Sequence, residues 1–212
     1  GLDKVLQQVI TGLMEKTKAI PSYQSKPTAL FVNDTSNWYH WGCTATSAVI
    51  RRQLKEIGYE VNAISIKQIV NMQPQFEQLD DFESDSFFEG FKQANSELFD
   101  ALSDHDLIMI NGEGSLHGLS TTSLNLLYIA HIAKRWFGKN VQIINHSCYP
   151  LELTEWQNSV EFNLYKQVYQ QLDYVAIREP VSQRLLTEGG IQSSQSFDCM
   201  PLYIERYANQ IE

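Results

Sequence analysis

Short apolar runs alternate with longer segments of helical period along most of this chain, and few folds accommodate that rhythm. Five runs stand out: Thr28 to Asn33, Val61 to Ile66, Asp106 to Asn111, Val141 to Asn145 and Asp173 to Ile177. Each is too short for a globular helix and nearly continuous in apolar residues, as strands covered on both faces are. Between them, apolar positions recur every three or four residues. This spacing predicts helices over 44–57 (Ile50, Leu54 and Ile57 inward, Gly58 as stop), 86–102, 122–137 (Leu124, Leu127, Tyr128 and Ile132 inward, Gly138 as stop) and 154–171. Pro180 opens a further short helix that Gly189 and Gly190 end. The polar stretch from Lys67 to Asp85, which carries Pro74, reads as an irregular excursion.

Strand and helix in strict alternation predict an α/β domain of three layers, a doubly wound, mostly parallel sheet between helices. Residues 28–212 read as that domain. Residues 1–27 read as an N-terminal helix, with Leu6, Val9, Ile10 and Leu13 on one face, and a linker bracketed by Pro21 and Pro27. Right-handed crossovers bring the C-terminal ends of all strands to one edge of the sheet, where ligands of open parallel sheets bind.

The bulk properties remove several functions. A net charge of −9 with no basic cluster argues against a nucleic acid partner. No apolar run approaches the roughly 20 residues of a membrane span, and the N-terminus lacks the pattern of a secretory signal, so the expected location is cytoplasmic. Cys43, Cys148 and Cys199 are odd in number and widely spaced, which describes neither a disulfide framework nor a zinc site; reduced thiols and no metal are expected. His-x-x-Cys at His40 and Cys43 and His-x-Cys at His146 and Cys148 match no structural zinc pattern.

The strand ends hold the polar chemistry. After the third strand comes Asn111-Gly-Glu-Gly-Ser-Leu-His-Gly118. Gly112 and Gly114 allow a sharp turn and close approach to a ligand, and the amides through Ser115 suit an anion. The dinucleotide fingerprint needs its glycines after the first strand, so no nicotinamide or flavin cofactor is expected. A plain strand-to-helix turn would also use these glycines, but it has no need of Glu113. The loop Ser36-Asn-Trp-Tyr-His-Trp-Gly-Cys-Thr44 offers Trp38, His40 and Gly42 before a helix, a combination suited to sugar rings or, alternatively, to plugging the sheet edge against a partner. His146 follows the fourth strand. Arg178-Glu-Pro-Val-Ser182 sets a guanidinium at the end of the fifth, fit for a carboxylate or phosphate or for an ordinary salt bridge.

In order and spacing these segments resemble the N-terminal half of the polysaccharide pyruvyl transferases: Asn33 and Gly42, the Gly-rich turn to Gly114, Val141 to Asn145, Arg178-Glu179 with Ser182, then Gly189-Gly190 and Asp198. The family's Gly-Asp after the first strand is absent here, Gly42 being followed by Cys43. The resemblance implies a Rossmann-like half of a GT-B-like enzyme that moves a pyruvyl group from phosphoenolpyruvate to a sugar hydroxyl in bacterial surface polysaccharide synthesis. It also implies a second Rossmann-like half that these 212 residues do not contain. On this reading Glu113 or His117 is the general base. Asn33, Trp38, His40, Gly42, Gly112, Gly114, Ser115 and His146 face a sugar or glycan acceptor, and Arg178, with Glu179 and Ser182, faces an anionic donor. Two other readings use the same residues: the acceptor domain of a glycosyltransferase with a nucleotide-sugar donor, and a carbohydrate-binding or assembly module without catalysis.

Overall fold

The computed structural model describes residues 25–148 and 156–207. The helix expected over 3–18 and the first residues of the one expected from Thr154 lie outside them. One wholly parallel sheet runs through the domain. Its strands are β1 (Thr28–Asp34), β2 (Glu60–Ser65), β3 (Leu107–Glu113), β4 (Asn140–His146), β5 (Tyr174–Ile177) and β6 (Ser194–Gln195), in the order β2-β1-β3-β4-β5-β6. Around it lie α1 (Trp41–Glu56), α2 (Ile66–Val70), α3 (Asp85–Ala94), α4 (Ser96–Asp104), α5 (Thr121–Arg135), α6 (Val160–Tyr169), α7 (Pro180–Glu188) and α8 (Met200–Tyr207). This is the doubly wound, Rossmann-like α/β arrangement that the alternation predicts.

Alternate strand residues serve the two faces. Leu30, Val32, Ile108, Ile110, Val141, Ile143, Val175 and Ile177 join a large core with residues of α2 through α7, among them Phe91, Tyr128, Phe162 and Leu186. Ala29, Phe31, Leu107 and Met109 pack on Val49, Ile50 and Leu54 of α1, with Tyr203 of α8 at the margin. Among the described residues, α1 and α8 are the helices that cover this second face. The chain steps from β1 out to β2 and then returns across β1 to β3, so strand order reverses between β1 and β3. The connections leaving β1 and β3 depart on opposite faces, and the space beyond their C-terminal ends is where open parallel sheets form their ligand crevice.

Three departures from the expected elements have local causes. The helix predicted over 86–102 is two helices broken at Asn95, whose Nδ2 donates to the carbonyls of Phe91 (2.7 Å) and Gln73 (2.6 Å). A side-chain amide that bonds nearby carbonyls competes with helix continuation. The 67–85 excursion contains α2, started by a Ser65/Gln68 capping box, and a 3₁₀ turn, Leu79–Glu83. It is fixed by Phe76 and Phe82, whose rings pack edge-on against Tyr128 at 5.1 and 5.2 Å. Lastly, β6 and α8 follow Gly190 where no strand or helix is predicted; a two-residue strand carries no period to read. Among the described residues no helix is long and apolar enough to cross a membrane.

Candidate functional site at the strand ends

The backbone itself marks the site. Asn33, Glu113 and Asn145, at the ends of β1, β3 and β4, have φ of 67°, 41° and 52°. Left-handed conformations in residues other than glycine are uncommon and cost about 1–3 kcal/mol each, least for Asn. They persist when neighbouring bonds hold them. Asn33 Nδ2 donates to the Asn111 carbonyl (2.7 Å) and to Ser115 Oγ (3.1 Å), Asn145 Nδ2 donates to Asn111 Oδ1 (3.0 Å), and the Cys199 amide donates to Asn145 Oδ1 (3.3 Å). All three asparagines are buried. Net contributions of about 0.5–1.5 kcal/mol per bond are enough to offset strain of this size. The result is a rung of amides that locks three adjacent strand ends together.

Glu113 sits at this reversal point and is 6% exposed. Its Oε1 accepts from Thr35 Oγ1 (3.0 Å) and from Thr46 Oγ1. Beyond these hydroxyls and the neighbouring Cys43 thiol, no described side chain is seen to donate to the carboxylate, and no described Lys or Arg pairs with it. The hydroxyls come from the turn after β1 and from the first turns of α1. There Cys43, Thr46 and Ser47 extend the buried stripe of Val49, Ile50 and Leu54 with polar side chains. Ser47 accepts from the Thr35 amide at 2.9 Å and so ties the helix to the strand end. Burial, reinforced by the Glu113 charge, pushes the Cys43 thiol up to about 11. Cys199 is pushed up to about 12, first by burial and then by Asp198. Both stay protonated thiols at neutral pH and are poor nucleophiles.

Arg178 lies half-buried at the end of β5. Its Nε donates to Ser147 Oγ (2.8 Å) and its Nη1 to Asp198 Oδ2 (2.9 Å), while no described residue bonds Nη2. The ordinary salt bridge is therefore present, made with Asp198 and not with Glu179. On the far side of the crevice Arg51 pairs with Asp34 at 2.9 Å. Both arginines are matched, and among the described residues no cation is paired with Glu113.

The predicted site residues divide into two groups. Asn33, Glu113, Ser115 and Arg178 line or build the crevice. His117 stands in the same loop as Glu113; its Nδ1 meets the Gly114 carbonyl and the ring is exposed. A carbonyl can only accept, so Nδ1 carries the proton and Nε2 is the basic nitrogen. Trp38 is half-buried with its ring 5.2 Å from Tyr39.

The remaining residues have structural work. His40 is the N-cap of α1, its Nδ1 accepting from the Gly42 amide at 3.3 Å, which starts the helix three residues before Thr44. Glu179 caps α7 by accepting from the amides of Val181 and Ser182. Ser182 is buried and takes the Cys148 amide at 2.9 Å. His146 points away from the crevice into the large core, fully buried, with Nε2 2.7 Å from Tyr169 Oη. Burial drives it down to about 3, so it is neutral. Gly112 is a glycine for this reason: a Cβ there would stand 2.6 Å from that of His146. Gly114 meets nothing, and the left-handed residue of the turn is Glu113 between them. Cys148, buried in the same core, is pushed far up by desolvation.

Sequence reading misses Thr35, Thr46, Ser47, Asn111, Asn145 and Asp198 as site builders. The signal available was the polar continuation of α1's apolar stripe at Cys43, Thr46 and Ser47. A hollow of about 820 Å³ opens at the opposite edge beside the start of β5, lined by Tyr169, Asp173, Tyr174 and Gly190 among others. Its Asp173 is matched by Lys134 at 2.7 Å, and no strained backbone borders it. Among the described residues no three His, Cys, Asp or Glu side chains converge as a metal would require. No protein-family model matches the chain, and no curated protein matches it either.

Proposed function

We propose that the crevice binds the sugar hydroxyl acceptor of a transferase and that Glu113 removes the proton of the attacking hydroxyl. The observation that carries this reading is the state of the Glu113 carboxylate: buried at the strand-order reversal, one oxygen engaged by two threonine hydroxyls, with no described Lys or Arg paired with it. A general base needs a lone pair aimed by neighbours and not consumed by them. Thr35 and Thr46 meet that need, and the left-handed backbone at Glu113 is the type of local strain that clusters at functional sites. The basic Nε2 of His117, exposed in the same loop, is the second candidate for the proton. Arg178, with Nη2 open among described residues, is the group suited to a carboxylate or phosphate of the donor. In keeping with the order of motifs, the donor proposed is phosphoenolpyruvate and the acceptor a glycan of bacterial surface polysaccharide.

Transfer assays on the longest natural chain, with phosphoenolpyruvate in one arm and nucleotide sugars in the other, test the reading. Glu113→Gln should lower turnover by roughly 10²- to 10⁴-fold while leaving the far-ultraviolet dichroism unchanged. Activity with nucleotide sugars alone would replace the pyruvyl donor by a glycosyl one. Glycan binding without transfer from either donor would leave a binding module. Full activity in both Glu113→Gln and His117→Ala would defeat the assignment of the base.

A further inference from the structure

Arg178, the proposed donor clamp, already holds an internal carboxylate. Asp198 Oδ2 accepts from its Nη1 at 2.9 Å, and the segment that delivers Asp198 then crosses over the strand ends. The segment leaves the sheet at Ser196, whose amide donates to the Ile177 carbonyl at 2.7 Å. Next, the Cys199 amide donates to Asn145 Oδ1 at 3.3 Å, capping the amide rung. Met200 then comes close to Gly42 at the start of α1. Finally α8 lies along α1, with Tyr203 edge-on to Trp41 at 6.2 Å and Arg206 on Glu56 at 2.8 Å. The strap thus passes from β5 over β4 to α1, across the mouth of the crevice.

It is weakly attached. No residue of α8 is buried, while Phe197 is 72%, Ile204 48% and Leu202 37% exposed. Its ion pairs with Arg178 and Glu56 are partly exposed, and such pairs contribute little to stability. Elements held by few buried contacts are the ones that open first. Arg178 is also under-used: a guanidinium binds a carboxylate or phosphate best through two parallel bonds, and Asp198 takes only one of its nitrogens.

We propose that Asp198 is an internal competitor for the anion site, and that a carboxylate or phosphate ligand takes Arg178 by displacing it, releasing the strap from the strand ends. Anion binding and opening of the crevice are then one event, and the acceptor enters after the donor. This inference rests on Arg178 as the anion clamp.

Calorimetry with inorganic phosphate and with pyruvate, as separate arms, on the wild type, Asp198→Asn and Arg178→Gln, tests it. Asn at 198 keeps an Oδ1 for the Met200 amide, which now bonds Asp198 Oδ1 at 2.8 Å, and replaces the Oδ2 that holds Arg178 by an amide nitrogen that cannot accept from it. The expected result is about two- to fivefold tighter binding of one anion by Asp198→Asn and loss of binding in Arg178→Gln. In the wild type, saturation with that anion should speed amide exchange at Cys199. If Arg178→Gln loses binding but Asp198→Asn does not gain it, or exchange at Cys199 is unmoved, the displacement is wrong and the clamp survives. If neither anion binds any form, the clamp itself is wrong.

Discussion

The two faces of the sheet are built to different standards. One is covered by six helices, α2 to α7, over a core in which Phe91, Phe99, Phe82, Phe76 and Tyr128 contact one another ring to ring. The other is covered, among the described residues, by α1 and by α8, which has no buried residue. Chemistry follows the thin side: Asn33, Asn111, Thr46 and Ser47 all lie there, and the strap of α8 crosses it. His146, a predicted ligand on the thick side, has become core, as has Ser182. The difference teaches that the aromatic core and the polar strand-end groups are separated here across the thickness of a single sheet.

The sharpest way to break this comparison is to attack the thick face. Phe91 is fully buried and edge-on to Tyr128 at 5.0 Å, so Phe91→Ala should cost about 3–5 kcal/mol in urea unfolding. A loss below about 1 kcal/mol would mean that this face is not the stabilising one.

Acid titration is the next test in size. His146 stays neutral down to about 3 in the folded protein but gains a proton near its ordinary 6.5 when unfolded. In that window the unfolded state binds the extra proton, so stability is complete above 6.5 and falls as pH drops toward 3, by up to about 1.4 kcal/mol per pH unit. His131 of α5, also lowered, chiefly by burial, adds in the same direction. The acid limb should therefore be steep in the wild type and shallower in His146→Gln. Equal slopes from pH 6 to 4 would show that the imidazole is not buried as described.

The smallest effect belongs to the thin face. Arg206→Ala removes the bridge to Glu56 and should change unfolding free energy by no more than about 1 kcal/mol. A cost comparable to that of Phe91→Ala would make α8 a structural element and not a strap.

Much of this division is legible in the sequence. The apolar runs locate β1 to β5 to within a residue or two, and the strand ends follow from chain direction alone. Buried along nearly their whole length, β1 and β3 need no alternation to betray them, while β2 at the sheet edge is found although most of it is exposed or half-buried. Glu113 is legible because a turn does not need its carboxylate, and Arg178 because of its place ahead of Pro180. What fails to show is anything decided by cross-strand neighbours. Gly112 reads as a flexible turn, yet its cause is an imidazole on the next strand. Glu179 and His40 read as ligand groups, yet each satisfies amides of the helix it opens. Asp198 is visible as a residue but not as the partner of Arg178, since twenty residues of chain separate them.

The left-handed strand ends carry a consequence for anyone redesigning this domain. A protocol that scores each position by backbone comfort would place glycine at 33, 113 and 145, and the molecule would gain ease there as the amide rung and the carboxylate vanished. Each such glycine would relieve the backbone and at the same time remove the side-chain bonds that offset its strain, so comfort scored position by position misjudges the stability of these three neighbouring sites.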